Sequence, residues 1–318
     1  MISSVTLAVV LGLALIGAIA ALVFTEVRSR SGAPPRPAPA SVTGRDALNV
    51  IDLGLRSVAA ECVRAGRALP DVYAVVLSAD RLTLRLSGAD PDAPPPWTTD
   101  DSGEEWSAGP TQLDGTDLGG TAEVADPYAL TVTIGLDRND RVMVELSRAS
   151  AAISVTGDGR DVRKLVRALV AELVTGPVGR HAEVTLVGSA AAEMTLGLGL
   201  QSTRLHTVAT LREALAQDSA DARASAASGP ASPVTQVFRL IEGSSAVIVQ
   251  GRAPRLFVLD AAQFRDEKEA MTHLNATDAL IVLGDVPDSG WRFRIGDDGS
   301  LDTGPLGLRV GVHAGRLS

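Results

Sequence analysis

Residues 151–188 read AAISVTGDGRDVRKLVRALVAELVTGPVGRHAEVTLVG, and this stretch decides the fold class. Ile153–Thr156 is a short run rich in β-branched residues, and a turn with two glycines follows it. Apolar residues then recur at helical spacing from Val162 to Leu173, and Ala182–Val187 is a second strand-like run. The order strand, helix, strand predicts a parallel βαβ unit, because parallel strands need a crossover connection that is usually a helix.

On the C-terminal side of this unit, short apolar runs continue to alternate with polar segments. The predicted helices are residues 207–216 and 263–273, and the predicted strands are residues 246–250, 256–259, 280–283, 292–295 and 308–312.

On the N-terminal side, the pattern is different. Apolar residues at helical spacing between Ala47 and Cys62 predict a helix, with Thr43 as its cap and Gly66 as its stop. Four strands follow in two hairpins. Their predicted bounds are residues 72–77 with 82–86 and residues 130–136 with 142–146. Residues 45–147 therefore predict a small α+β module with mostly antiparallel pairing, and residues 148–318 a mostly parallel α/β domain.

The glycine turn occupies the position of a phosphate-binding loop, between a strand and a helix. Such a loop needs two glycines with four residues between them, then a lysine that reaches the phosphates and a hydroxyl residue that holds Mg²⁺. Aligned on Gly157, the chain has Val162 at the second glycine, Arg163 at the lysine and Lys164 at the hydroxyl residue. Every diagnostic position after the first glycine is changed.

Asp260 follows the apolar run at 256–259, which is where a Walker B aspartate would hold a metal ion, but no glutamate follows it. We treat Gly157, Gly159, Arg163, Lys164 and Asp260 as a vestigial nucleotide site. The alternative interpretation is structural: the glycines supply a positive φ at a turn, and Asp260, like Asp285 after the next strand, caps a helix. The four histidines are widely separated, so we predict no metal site. The sequence has no Gly-x-Ser-x-Gly elbow and its single cysteine lacks an obvious base, so we predict no catalytic residue, and we predict no bound cofactor.

The run 151–188, together with RLFVLDAAQ (255–263) and ALIVLGDVP (279–287), resembles the additional-strand P-loop ATPases, which include DNA-pumping translocases and type VII secretion ATPases. Its pairing with RALPDVYAVVLSADRLTLRLSGADPDAPPPW (67–97) is similar to the membrane-embedded middle part of actinobacterial proteins that also carry LysM and bacterial transcriptional activator domains. The resemblance implies a P-loop-type sheet. It implies neither ATP hydrolysis, since the Walker residues are absent, nor the functions of LysM or activator segments, which this chain lacks.

The N-terminal segment predicts attachment to a membrane. Residues 5–24 are apolar and uncharged, which is long enough for a helix to cross the hydrocarbon core. Arginines occur only on the C-terminal flank of this segment, so the rest of the chain is predicted to face the cytoplasm. The alternative is a cleaved signal peptide, since Ala18–Ala20 has the form of a cleavage site. The predicted segments are an anchor at 1–26 and a Pro/Ala-rich linker at 27–44.

The composition of the chain argues against one class of partner. The formal net charge is −9 and the basic residues are spread along the chain, which argues against nucleic acid as a partner. The single cysteine, Cys62, lies on the apolar face of the first predicted helix and is expected to be buried. The sequence favours a catalytically silent, ATPase-like scaffold or regulatory protein that contacts the bilayer through residues 5–24 and binds a protein partner. The alternative is a divergent nucleotide-binding ATPase of a secretion or cell-envelope system.

Overall fold

A computed structural model describes residues 42–113, 128–198, 202–217 and 253–311, all of which belong to one compact unit, residues 41–318. Within these ranges, no helix is both long and apolar enough to cross a membrane. The predicted anchor at 1–26 and the predicted strand at 246–250 lie outside the described residues, as does the linker up to residue 41. The anchor, the strand and this part of the linker therefore remain predictions.

The described chain is a mixed α/β fold with one large sheet. Its strands are β1 (Val72–Leu77), β2 (Leu82–Leu86), β3 (Thr98–Thr99), β4 (Glu105–Ala108), β5 (Thr131–Asp137), β6 (Asp140–Glu145), β7 (Ile153–Thr156), β8 (Glu183–Val187), β9 (Leu205–Val208), β10 (Arg255–Asp260), β11 (Ala279–Leu283), β12 (Trp291–Ile295), β13 (Ser300–Asp302) and β14 (Arg309–Gly311). Its helices are α1 (Gly44–Arg64), α2 (Pro110–Leu113), α3 (Gly159–Thr175), α4 (Ser189–Leu198) and α5 (Ala261–Asp266), with a further helical segment at residues 211–217.

One half of the sheet is parallel, with the strand order β12-β7-β11-β10-β8-β9. The predicted parallel βαβ unit is confirmed: β7 and β8 run in the same direction and α3 connects them. They are not neighbours, because β11 and β10 lie between them. A parallel sheet brings the carboxyl ends of these strands to one edge, and this edge carries the candidate site.

The other half of the sheet is antiparallel, with the order β3-β4-β2-β1-β6-β5-β14-β13. The strands of the predicted α+β module join the rest of the sheet where β5 pairs with β14, through Leu136 and Gly311. Gly135 makes this approach possible, because a Cβ at residue 135 would lie 2.6 Å from the carbonyl oxygen of Gly311. The sheet is therefore continuous across the predicted boundary at 147/148.

Three apolar clusters hold the elements together. The first lies between α3 and the face of the sheet that carries Ile153, Val184 and Phe293. The second lies under α1 and contains Cys62, which is fully buried as its place on the apolar face predicts. Burial raises the pKa of the Cys62 thiol to about 11, so the thiol stays protonated at neutral pH. The third covers the opposite face of β10 and β11 and includes Phe257.

Two predicted helices are corrected by the structure. The helix predicted at 207–216 begins only at residue 211, because Leu205–Val208 are extended and pair with β8 as the last described strand on that side of the sheet. The helix predicted at 263–273 ends at Asp266 and is followed by a separate 3-10 turn at Ala270–His273. Glu267 marks the break, since its carboxylate accepts hydrogen bonds from the Arg212 amide at 2.9 Å and from Gln263 Nε2 at 2.8 Å.

A buried polar network joins α3 to the antiparallel half. Glu172 Oε1 accepts from the backbone N–H and the hydroxyl of Thr133, at 2.8 and 3.0 Å. Arg141 is fully buried, lies 3.6 Å from Glu172, and donates to the Thr133 hydroxyl and to the Val42 carbonyl oxygen, both at 2.8 Å. Desolvation raises the pKa of Glu172 and lowers that of Arg141. The network links Val42, just before α1, to α3, whose N-terminal part lines the candidate site.

Candidate functional site

A pocket of about 420 Å³ lies at the carboxyl edge of the parallel strands. Its lining comes from the ends of β7, β10 and β11, from the residues that follow β7 and β11, and from the N-terminal parts of α3 and α4. The lining residues are Val155, Thr156, Gly157, Gly159, Val162, Arg163, Ser189, Ala190, Asp260, Leu283, Gly284 and Asp285.

The pocket lies at a switch point of the sheet. The adjacent strands β7 and β11 pair in parallel, but their following connections leave on opposite faces. After β7 the chain enters α3, which packs in the first apolar cluster, whereas after β11 it places Val286 in the third cluster on the other face. In open parallel sheets, a crevice opens between strands whose connections diverge in this way, and ligands bind there.

The turn between β7 and α3 contains only Gly157 and Asp158. Gly157 has φ of +138°, and a Cβ at this position would lie 2.8 Å from the carbonyl oxygen of Ile295. Val162, aligned with the second glycine of a P-loop, already lies in the first turn of α3, where its amide donates to the Asp158 carbonyl at 2.9 Å. The turn is thus shorter than the four-residue spacer with which a P-loop surrounds a phosphate.

The N-terminus of α3 is capped by its own chain. The Oδ1 atom of Asp158 accepts a hydrogen bond from the Arg160 amide at 2.9 Å. This is the amide-rich helix end at which a P-loop binds phosphate. A carboxylate here satisfies one amide and neutralises the positive end of the helix dipole, so a phosphate would meet negative charge.

Arg163 and Lys164 point in different directions. Arg163 lines the pocket, and its Nη1 atom would be 3.4 Å from a Cβ built on Gly159. Lys164 is absent from the lining. Its ammonium lies 3.2 Å from Asp161 on the outer side of α3, and its side chain is 57% exposed.

Asp260 caps α5 at the far wall of the pocket. Its Oδ1 atom accepts hydrogen bonds from the amides of Ala262 and Gln263, both at 2.8 Å, and its Oδ2 atom accepts one from the Ser189 hydroxyl. Burial acts to raise the pKa of this carboxyl. The Ser189 hydroxyl and the two amides outweigh burial and hold the pKa below its ordinary value. Asp260 is therefore ionised at neutral pH.

The structure brings together four of the five residues predicted for a vestigial nucleotide site: Gly157, Gly159, Arg163 and Asp260. The sequence analysis did not find Ser189, although a signal was present, since a serine directly after a strand and a glycine stands at the functional edge of a parallel sheet. Across the described ranges, no three His, Cys, Asp or Glu side chains come together as metal ligands would.

No protein-family model and no curated protein matches the chain. Among solved structures, it is similar to the pCW3 conjugation coupling protein TcpA in its monomer form with ATPγS, at 9% identity over 81% of this chain and 94% of that chain, with a TM-score of 0.35. It is also similar to the cytoplasmic domain of the Thermomonospora curvata type VII secretion ATPase EccC, at 14% identity over 68% of this chain and 30% of that chain, with a TM-score of 0.29. Both TM-scores are below 0.5, so neither similarity identifies a ligand for this chain. Neither supports a relation to proteins with LysM or activator domains.

The strand order itself is consistent with a P-loop ATPase-like fold. β11 is inserted between β7, which ends at the glycine turn, and β10, which ends at Asp260. The residues at the carboxyl edge of the sheet depart from those that bind nucleotide.

Proposed function

We propose that this chain is a membrane-anchored, catalytically silent ATPase-like protein that acts as a scaffold or regulatory protein on the cytoplasmic face. The observation that carries the proposal is the two-residue turn between β7 and α3, with the Asp158 carboxylate on the helix N-terminus. Anchoring is supported by the apolar residues 5–24 and by the arginines that follow them. A tethered domain without chemistry acts by holding a partner, so we propose a protein partner.

Charge favours silence over hydrolysis. At an effective dielectric constant of about 20, two like unit charges 4 Å apart repel by about 4 kcal/mol. A triphosphate in the pocket would meet the carboxylates of Asp260 and Asp285, with Asp158 at the adjacent turn, against the single guanidinium of Arg163. The two-residue turn leaves less backbone than a P-loop to surround the phosphates and offset this repulsion.

Phosphate release tests this proposal. The full chain, reconstituted in lipid vesicles with Mg-ATP, is expected to release phosphate no faster than vesicles without protein. The matched variant is Asp260→Asn, which removes the charge while retaining an oxygen that can cap α5. Release by the wild type above background, lost in Asp260→Asn, would overturn the proposal.

A second candidate is a divergent nucleotide-binding ATPase of a secretion or cell-envelope system. The observation in its favour is that Arg163 and Asp260 line the same pocket, as a phosphate-binding cation and a metal-binding carboxylate would. Against it, the planar guanidinium of arginine does not reproduce the compact ammonium that a tight phosphate loop uses. If this candidate is correct, the wild type binds Mg-ATP and Arg163→Ala weakens that binding. If the site is silent, neither protein binds Mg-ATP.

A further inference from the structure

We propose that the pocket at the carboxyl edge of the parallel strands binds a basic side chain, an arginine or a lysine, of a protein partner. The inference rests on the proposed function and names the chemistry by which the scaffold would recognise its partner. The charged residues that line this pocket include more carboxylates than cations, which suits a basic ligand better than a phosphate.

The charge of the lining comes from three side chains. Asp260 and Asp285 contribute two carboxylates, and Arg163 contributes one guanidinium. The hydrogen bonds from Ser189 and the two amides keep Asp260 ionised. The charged side chains of the lining are therefore net negative. They attract a cation and repel a phosphate.

The two carboxylates come from neighbouring strands. Asp260 stands opposite Leu283 in the parallel register of β10 and β11, and Asp285 follows Leu283 by two residues. Neighbouring strands lie about 4.8 Å apart, so the backbones that carry the two acids are close together, and both acids line the pocket. Asp260 Oδ2 accepts one bond, from Ser189, and a carboxylate oxygen has a second lone pair for a ligand. Asp285 is exposed.

The remaining lining suits the stem of a long basic side chain. Val155, Val162 and Leu283 provide apolar surface, and Thr156 and Ser189 provide hydroxyls. Lysine and arginine both carry a flexible aliphatic stem that packs on apolar surface and a charged head that donates hydrogen bonds. A cavity of about 420 Å³ at the switch point of the sheet is a place where a ligand is expected on topology alone.

The test uses capped amino acids that carry a single side-chain charge. Nα-acetyl-arginine amide and Nα-acetyl-lysine amide are titrated into the full chain in detergent, and Nα-acetyl-citrulline amide is the neutral control that matches arginine in shape. We expect saturable binding of at least one basic probe and at least tenfold weaker binding of the citrulline probe.

Three variants locate the site. Asp285→Asn is expected to weaken binding of the basic probe at least tenfold. Asp288→Asn, in the same connection but outside the lining and 84% exposed, is the matched control and is expected to leave the affinity unchanged. Arg163→Ala is expected to strengthen binding, because it removes the like charge from the pocket. A phosphate site would respond to Arg163→Ala in the opposite direction. Thermal unfolding of each variant checks that it is folded.

The inference is overturned if neither basic probe binds, if the citrulline probe binds as well, if Asp288→Asn has the same effect as Asp285→Asn, or if Arg163→Ala weakens binding. A parallel titration with Mg-ATP separates this failure from that of the proposed function. Micromolar Mg-ATP binding by the wild type would overturn the proposed function itself. If neither Mg-ATP nor a basic probe binds, only the proposed site for a basic side chain is overturned.

Discussion

At the scale of single residues, the two glycines of the β7–α3 turn have different roles. Gly157 has a positive φ and lies against the backbone of Ile295, so no other residue fits without strain. Gly159 is the first helical residue of α3, and the nearest atom to a Cβ there belongs to the flexible Arg163 side chain. The sequence analysis gave both glycines the same interpretation, because spacing alone does not report φ.

Alanine at each position separates these roles. Gly157→Ala is expected to lower the free energy of unfolding by about 1–3 kcal/mol, the cost of a non-glycine residue in a sparsely populated φ/ψ region. Gly159→Ala is expected to change it by less than about 1 kcal/mol, since alanine favours the helix. Urea denaturation of both variants measures the difference. A larger loss for Gly159→Ala than for Gly157→Ala would contradict this account of the turn.

Asp260 was predicted either to cap a helix or to hold a metal, and its hydrogen bonds are those of a cap. Asp260→Ala is therefore expected to cost about 0.5–2 kcal/mol of stability at neutral pH. Because the folded-state pKa lies below its ordinary value of 3.8, this stabilisation is present above that value and is lost as the pH falls through the folded-state pKa. Denaturation of wild type and variant between neutral pH and about pH 3 measures it. A stability difference that grows on acidification would exclude an ionised cap.

At the scale of elements, patterning predicted strands better than helix ends. Residues 72–77, 82–86 and 153–156 were predicted with the bounds that the structure has, since each is an apolar run bounded by turn residues. The helix α4, with sequence SAAAEMTLGL, was missed because its small residues show no helical periodicity. The strand β9 was missed because its pairing with β8 is not visible in local sequence.

The network between α3 and the antiparallel half supports a second stability prediction. Arg141→Met leaves Glu172 without its cation. We expect it to lower the free energy of unfolding by about 3–5 kcal/mol, the usual effect of removing one partner of a buried ion pair. The double variant Arg141→Met/Glu172→Met is expected to be more stable than Arg141→Met alone, because it removes both charges. Urea denaturation of the single and double variants completes the cycle. Additive losses would show that the two side chains are not coupled.

The same pair has a pH signature. Burial raises the pKa of Glu172 above its ordinary value of 4.5, so the native state holds this proton more tightly than the unfolded chain does. Wild-type stability therefore falls, relative to Glu172→Gln, as the pH rises from about 4.5 through the folded-state pKa. Glu145 is buried and shifted in the same direction, but it is common to both proteins and cancels in the comparison.

At the scale of the whole molecule, the order of strands could not be read from the sequence. The predicted βαβ unit is present, but its two strands are separated by β11 and β10, which come about 70 to 130 residues later in the chain than β8 and β7. The pairing of β5 with β14, through Leu136 and Gly311, is more distant still along the chain, and it joins the two predicted domains into one sheet. Local periodicity indicates which residues are extended, whereas long-range packing decides which strands become neighbours.

The orientation of the chain relative to the membrane is predicted from its sequence. Arginines on only the C-terminal flank of residues 5–24 predict a cytoplasmic location for the rest of the chain. A reporter fused after Ser318 that is active only in the cytoplasm should work, and one that is active only after export should be silent. The reverse result would place residues 31–318 outside the cytoplasm and remove their access to cytoplasmic ATP and partners.

Isothermal titration of the full chain with Mg-ATP tests the central claim most directly, namely that an ATPase-like sheet carries an edge that no longer binds nucleotide. The short turn, the Asp158 cap and the net negative pocket predict no saturable binding at nucleotide concentrations up to about 1 mM. A Kd above this concentration corresponds to a binding free energy smaller in magnitude than about 4 kcal/mol. One-to-one binding in the micromolar range, followed by release of phosphate, would contradict the account.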